Sequence, residues 1–164
     1  MTGLSMTYDV SVFGDLLFEE KGLRAWKRHV VSSAQSRIIA KVFPKRRNDP
    51  PIKVAALVAE LPRVGFFKLE EADGLLRVRG QFHGLAFDKR ARQLAALFMC
   101  AAEYGAQGSV SFLGEGVWVG YEIFLDGGRA KLTTMTEDAV RRAAHDPALD
   151  AISGHFQAAD DLGV

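Results

Sequence analysis

Three short strand patterns separated by glycine-rich turns, all within residues 109–135, constrain this chain more than any other stretch. Ser109–Leu113, Val117–Leu125 and Arg129–Met135 are joined by Gly114-Glu115-Gly116 and by Asp126-Gly127-Gly128. Connections this short force neighbouring strands to run antiparallel. In the middle strand, alternation predicts that Val117, Val119, Tyr121, Ile123 and Leu125 share a core face. Trp118, Gly120, Glu122 and Phe124 then share the other.

The segment before the strands reads as a helix. Asp88 can cap it and Gly105 can end it, with Ala91, Leu94, Ala95, Phe98, Met99 and Ala102 at helical spacing. Its opposite side carries Ala96, Leu97, Cys100 and Tyr104, so the helix is apolar nearly all round. A helix of that kind is buried on two sides. The favoured arrangement places it between the sheet and other helices; the alternative puts its second side against another copy of the chain, in a homodimer.

Upstream, Met6, Tyr8, Val10 and Val12 alternate with polar residues as a half-buried strand ending at Gly14. Met6 is an alternative start of the chain. Asp15 is placed to cap a helix that buries Leu16, Leu23, Trp26 and Val30, exposes Glu19 to Arg28, and stops at Ser32-Ser33. Arg37–Phe43 reads as a short strand and Pro44–Pro51 as a surface loop. Asp49-Pro50-Pro51 opens a helix carrying Val54, Leu57, Val58 and Leu61. Phe66–Glu70 and Leu75–Phe82 form a hairpin about Asp73-Gly74, a dipeptide suited to a tight turn. After the strands, Thr134 and Glu137 have capping-box spacing for a helix running to about His145, and Asp146-Pro147 starts another turn. The expected fold is α+β: one domain over residues 1–164, a mainly antiparallel sheet of five to six strands packed with about four helices. Residues 1–5 and 158–164 are expected to fray.

At 48% hydrophobic and 25% charged content, 164 residues suffice for one substantial core. The net charge is +1, which gives no global field towards nucleic acid or an anionic membrane. The signs segregate, however. Residues 1–82 hold fourteen basic and nine acidic residues, a net +5, and residues 83–164 hold seven and eleven, a net −4. Cys100 is the single cysteine, so no internal disulfide forms and a cysteine-based zinc site cannot be built. With no leader-like N-terminus and no apolar run of membrane-spanning length, the expectation is a protein of the reducing cytoplasm.

Catalytic patterns are sparse. His29, His83, His145 and His155 fall in separate segments without a second ligand at helical spacing, so neither a metal nor a cofactor is expected. Cys100 has apolar neighbours and reads as an inert buried thiol. Ser111 and Ser153 lack a nucleophile-elbow context. The glycine pairs lie between strands rather than before a helix, which makes them turns and not phosphate cradles. Glu19-Glu20 and Glu70-Glu71 are adjacent carboxylates that point to different faces and read as solvated. A small enzyme with a cleft near His83 and Glu103 is the weakest of the functional readings.

Nucleic-acid binding would rest on Lys45, Arg46 and Arg47, joined by Arg24, Lys27, Arg28, Arg77 and Arg79, a cluster without interleaved aromatics or a recognition motif, and is the alternative reading. Binding of a protein is the leading one. Trp118 and Phe124 flank the Glu122 carboxylate, with Glu115 and Asp126 in the adjoining turns, and aromatic anchors dominate interface energetics. The start Met6-Thr7-Tyr8-Asp9-Val10-Ser11-Val12, the alanine-rich helix and the glycine-rich strands after it resemble the small α+β immunity proteins of bacterial polymorphic toxin systems. That resemblance implies a cytosolic protein that blocks a toxin by docking on it, and transfers no individual residue. The docking patch expected here is Glu115, Trp118, Glu122, Phe124 and Asp126, facing a basic toxin domain.

Overall fold

Alternation of apolar and polar residues from Tyr8 onward continues through Gly14 and carries the first strand to Leu17. The computed structural model describes residues 8–30, 53–61, 65–84, 95–114 and 118–149. In chain order these form β1 (Tyr8–Leu17), α1 (Gly22–Arg28), α2 (Val54–Glu60), β2 (Phe66–Ala72) and β3 (Leu75–Gly84). There follow a helix α3 over residues 95–104, then β4 (Gln107–Gly114), β5 (Val119–Asp126), β6 (Arg129–Thr134) and α4 (Glu137–Ala143). The strands make one antiparallel sheet in the order β2-β3-β1-β4-β5-β6. The fold is therefore α+β, as the turn chemistry requires.

The first strand departs from expectation at its end. Asp15 does not cap a helix; it lies within β1, opposite Arg77 on β3 and Ser109 on β4. Leu16 is buried as predicted, but from a strand, because the period-2 pattern Val10, Val12, Leu16 outlasts Gly14. Helix α1 starts only at Gly22, after Lys21 in a left-handed conformation (φ 71°), and ends at Arg28 rather than at Ser32-Ser33. Its inward residue is Trp26, fully buried. Val30, expected inside, is half exposed and bridges to Lys53.

Both hairpin turns follow their sequence signals. Asp73-Gly74 and Gly127-Gly128 each place two successive residues at positive φ, the conformation that matches the strand twist in a two-residue turn. Helix α3 tightens to a 3-10 turn over Cys100–Tyr104 and stops at Gly105 (φ 78°), as expected. Ala95, Leu97, Phe98, Cys100, Ala101 and Ala102 are all buried, while Ala96, Met99 and Tyr104 are partly buried and Glu103 is exposed. Most of the apolar surface of residues 95–104 thus packs within the chain. On the last helix the cap is Thr136, whose Oγ1 accepts from Ala139 N at 3.2 Å, and not Thr134, which belongs to β6. Asp146 starts the next turn by accepting from Ala148 N at 2.9 Å.

The sheet thus separates two layers. On one side α1, α2 and α3 cover Val10, Val12, Leu16, Leu76, Val78, Val110, Phe112, Tyr121, Ile123 and Leu125. On the other, α4 and the turn after it cover only Phe13 and Leu113, through Val140, with Met135, Ala143, Ala148 and Leu149 around them. This outer layer is narrow because α4 has only seven residues. Much of the rest of the outer face is polar, with Asp15, Arg77, Arg79, Ser109, Ser111 and Glu122 in register, and Leu17 and Phe124 are exposed apolar residues on it. The strand predicted at Arg37–Phe43, the loop at Pro44–Pro51, the Asp88 cap, residues 1–7 with Met6, and both frayed ends fall outside the described residues.

Candidate functional site

The expected patch on β5 is divided by α4. Glu122, Phe124 and Asp126 share the outer face of β5 as alternation predicts. Trp118 does not join them: it precedes the strand in a left-handed conformation (φ 53°), and the Arg141 guanidinium of α4 lies 4.0 Å from its ring centroid. This cation–π contact holds the indole against α4 instead of presenting it freely. The dent expected at Gly120 is filled. A Cβ there would stand 3.1 Å from Met135 Sδ and from Leu113 Cδ2. Val119, assigned to the core, is 42% exposed at the start of the strand. Glu115 and the basic cluster Lys45, Arg46 and Arg47 lie outside the described residues.

Phe124 is the open part of the patch, at 47% exposure in mid-strand. Its cross-strand neighbours are Ser109 on β4 and Lys131 on β6, while Asp126 faces Arg129. The surface around Phe124 therefore alternates in sign, where the sequence alone pointed to an acidic patch. Glu122 sits deeper, beside α4, in a cleft of about 590 Å³ that also admits Asp15, Arg79, Ser109, Ser111, Arg142 and Asp146. Burial pushes its carboxyl above the ordinary glutamate value, and the neighbouring Ser109 hydroxyl pulls it part of the way back.

The sign of that shift makes a pH prediction. A raised pKa means that folded Glu122 holds its proton more tightly than the unfolded chain does. The favourable contribution is complete in acid, below the unfolded value, and is lost as pH rises through the folded one. Glu122→Gln should accordingly raise the urea midpoint at neutral pH and lose that advantage at about pH 4. A glutamine variant that is less stable at neutral pH would show instead that the carboxylate is held by a favourable partner within the fold.

The sequence suggested other roles for several cleft residues, Arg79 among them as a phosphate contact. Asp15 was assigned to a helix cap and Ser111 was weighed only as a nucleophile. Both sit on the outward phase of strand alternation, which was legible, but the register that sets Ser111 opposite both Phe13 and Glu122 was not. Arg79 threads among them, its Nη1 donating to Val78 O (2.7 Å), Gly14 O (3.2 Å) and Asp15 Oδ1 (3.3 Å).

The remaining candidates resolve individually. His29 packs edge-on to Tyr104, with Nδ1 2.6 Å from its hydroxyl and 3.8 Å from Glu103, tying α1 to the end of α3. Glu103 is thus directed to His29, while His83 lies opposite Asp9 in the β1–β3 register. Glu70 and Glu71 do point to different faces, and each has a partner, Lys68 and Lys27 respectively. Among the described residues no three His, Cys, Asp or Glu side chains converge closely enough to hold a metal ion. No helix of the described residues is long and apolar enough to cross a membrane.

Cys100 is enclosed beneath α1. It accepts from Trp26 Nε1 at 3.2 Å and donates to Leu97 O at 3.0 Å, and burial pushes the thiol up to about 11. With the thiolate so disfavoured, Ellman's reagent at mildly alkaline pH should leave the native chain unlabelled and react fully once denaturant is added. Rapid labelling of the native protein would contradict this enclosure.

In comparisons with known proteins, the chain matches no family model, no curated protein and no solved structure.

Proposed function

We propose that this chain is a non-catalytic protein-binding module, and more narrowly a cytosolic immunity protein that neutralises a toxin by docking its outer sheet face on it. The observation that carries the reading is Phe124, a large aromatic half exposed in the middle of a strand rather than at a frayed end. Burying such a ring supplies the apolar centre of an interface, and the surrounding charges supply orientation. Glu122, Asp126, Lys131 and Arg129 encircle it with alternating sign. A partner complementary to this surface needs an apolar pocket bordered by both charges, with basic groups set against Glu122 and Asp126.

The direct experiment is co-expression with the product of the gene immediately upstream. A stoichiometric complex, together with protection of the cells from growth arrest by that product, is the expected result. Phe124→Asp should weaken the complex by about thirtyfold or more, the scale of an interface hot spot, with the thermal midpoint of the free protein preserved. If the upstream product neither binds nor arrests growth, the immunity reading fails. If it binds with undiminished affinity to the Phe124 variant, docking lies on another face.

A further inference from the structure

We propose that the cleft between the outer sheet face and α4 is an anchoring site for one cationic side chain of the docking partner, an arginine guanidinium. This rests on the docking reading above and adds the chemistry of its central contact.

Most of the charged groups that line the cleft are already engaged. Arg79 has three acceptors, two of them backbone carbonyls, and Asp15 faces both Arg79 at 3.3 Å and Arg77 at 3.6 Å. Asp146 holds the Ala148 amide. Glu122 differs: among the described residues it has no ion-pair partner, and the Ser109 hydroxyl is the one group that favours its charge. A half-buried carboxylate in that position gains most from an incoming cation.

Ser111 supplies the second, independent observation that points to a ligand. It is 92% buried, lines the same cleft directly opposite Glu122, and its hydroxyl makes no hydrogen bond to another described residue. Buried hydroxyls are ordinarily satisfied, because leaving one unmet costs about 1–3 kcal/mol. Ser109 stands two residues away on the same strand and face. The cleft thus offers a carboxylate and two hydroxyl oxygens spread over one strand repeat, roughly 7 Å.

A planar guanidinium, with five donors in a fixed fork, can meet several such acceptors at once, whereas an ammonium is a compact point charge. An anion is disfavoured by Glu122, Asp15 and Asp146. Arg142 is exposed at the rim and Arg79 is pinned, so the three carboxylates outweigh them. Phe124, two residues from Glu122 on the same face, provides the apolar neighbour that such an anchor requires.

The test is an NMR titration of the full chain with acetyl-arginine-N-methylamide, using the lysine and citrulline counterparts as controls. The arginine compound should shift the amides of Ser109, Ser111 and Glu122 and lower the Glu122 titration midpoint. The lysine compound should bind severalfold more weakly, and the uncharged citrulline should leave these signals in place. Glu122→Gln should weaken arginine binding at least tenfold in a chain at least as stable as the native one, and Ser111→Ala should weaken it severalfold with a native thermal midpoint. Equal shifts with citrulline, or none in the cleft with arginine, overturn the assignment. Binding of the upstream gene product at unchanged affinity to the Glu122→Gln variant also overturns it while leaving docking intact. Binding of the arginine compound by a chain that has no affinity for that product removes the docking reading and makes the cleft a site for free guanidinium compounds.

Discussion

Trp26→Ala is expected to destabilise the fold by about 3–5 kcal/mol, the range for truncating a large buried aromatic. Trp26 is fully buried in the core between the sheet and the helices that cover its inner face. Its ring centroid lies 5.7 Å from that of Phe18, which follows β1, and 6.4 Å from that of Phe98 on α3. Its Nε1 donates to Cys100 Sγ, so truncation removes the stack on Phe98, the tilted contact with Phe18 and the hydrogen bond together. Little around it can collapse into the space, because α3 is held from below by the sheet and at its end by Gly105. Trp26→Phe keeps most of the area and loses the indole donor, so it should cost less than half as much. Urea unfolding followed by far-ultraviolet circular dichroism measures both. A loss under about 1 kcal/mol for the alanine variant would show that α1 is not integral to the core.

Gly14→Ala is expected to cost about 3 kcal/mol or more, at the upper end of what overpacking produces. A Cβ at Gly14 would lie 2.1 Å from Ser109 O and 2.6 Å from the Cα of Val110. Both are backbone atoms of β4, so no side-chain rotation relieves the clash, and the β1–β4 pair at the centre of the sheet must separate. The cleft should suffer with it, since Asp15 and Ser109 lie on the strands forced apart. Gly127 is the control. A Cβ there meets nothing within 4 Å, and its φ of 59° is one that asparagine adopts readily, so Gly127→Asn should change stability by less than about 0.5 kcal/mol. Equal effects of the two substitutions would mean that the strands are not so closely apposed at Gly14.

The comparison of these two glycines also shows what a sequence carries. Gly127 was legible, because Asp-Gly-Gly between alternating runs names its own turn. Gly14 was misjudged as the end of a strand, since locally a glycine before an aspartate looks like a break followed by a helix cap. Its actual reason is the β4 backbone at Ser109 and Val110, more than ninety residues further along the chain, and no local pattern encodes that proximity. The same holds for Thr134 and Thr136. Both can cap a helix, and the choice between them was made by β6, which extends to Thr134 through its pairing with Tyr121.

On the candidate site, alternation placed Glu122 and Phe124 on one face, because a strand's side-chain period does not depend on its neighbours; Asp126, expected in the turn, is the last residue of β5. Trp118 departs from expectation because the strand starts two residues later, at Val119, after a left-handed turn, and Arg141 of α4 then claims the ring. Lys131 and Arg129 were visible as residues, yet their opposition to Phe124 and Asp126 emerges only once β5 and β6 are in register.

The sequence by itself determined the antiparallel α+β architecture, the burial of α3 and the inertness of Cys100, since each follows from short-range periodicity, turn chemistry or the character of near neighbours. Tertiary structure alone decided which outward residues meet. Strand order carries β1 between β3 and β4, and α4 folds over only part of the outer face, so Asp15, Arg79, Ser111 and Glu122 enclose a cleft beside an open Phe124. The physical reason is that pairing register and layer packing join residues tens of positions apart, by contacts whose partners no local stretch of sequence contains.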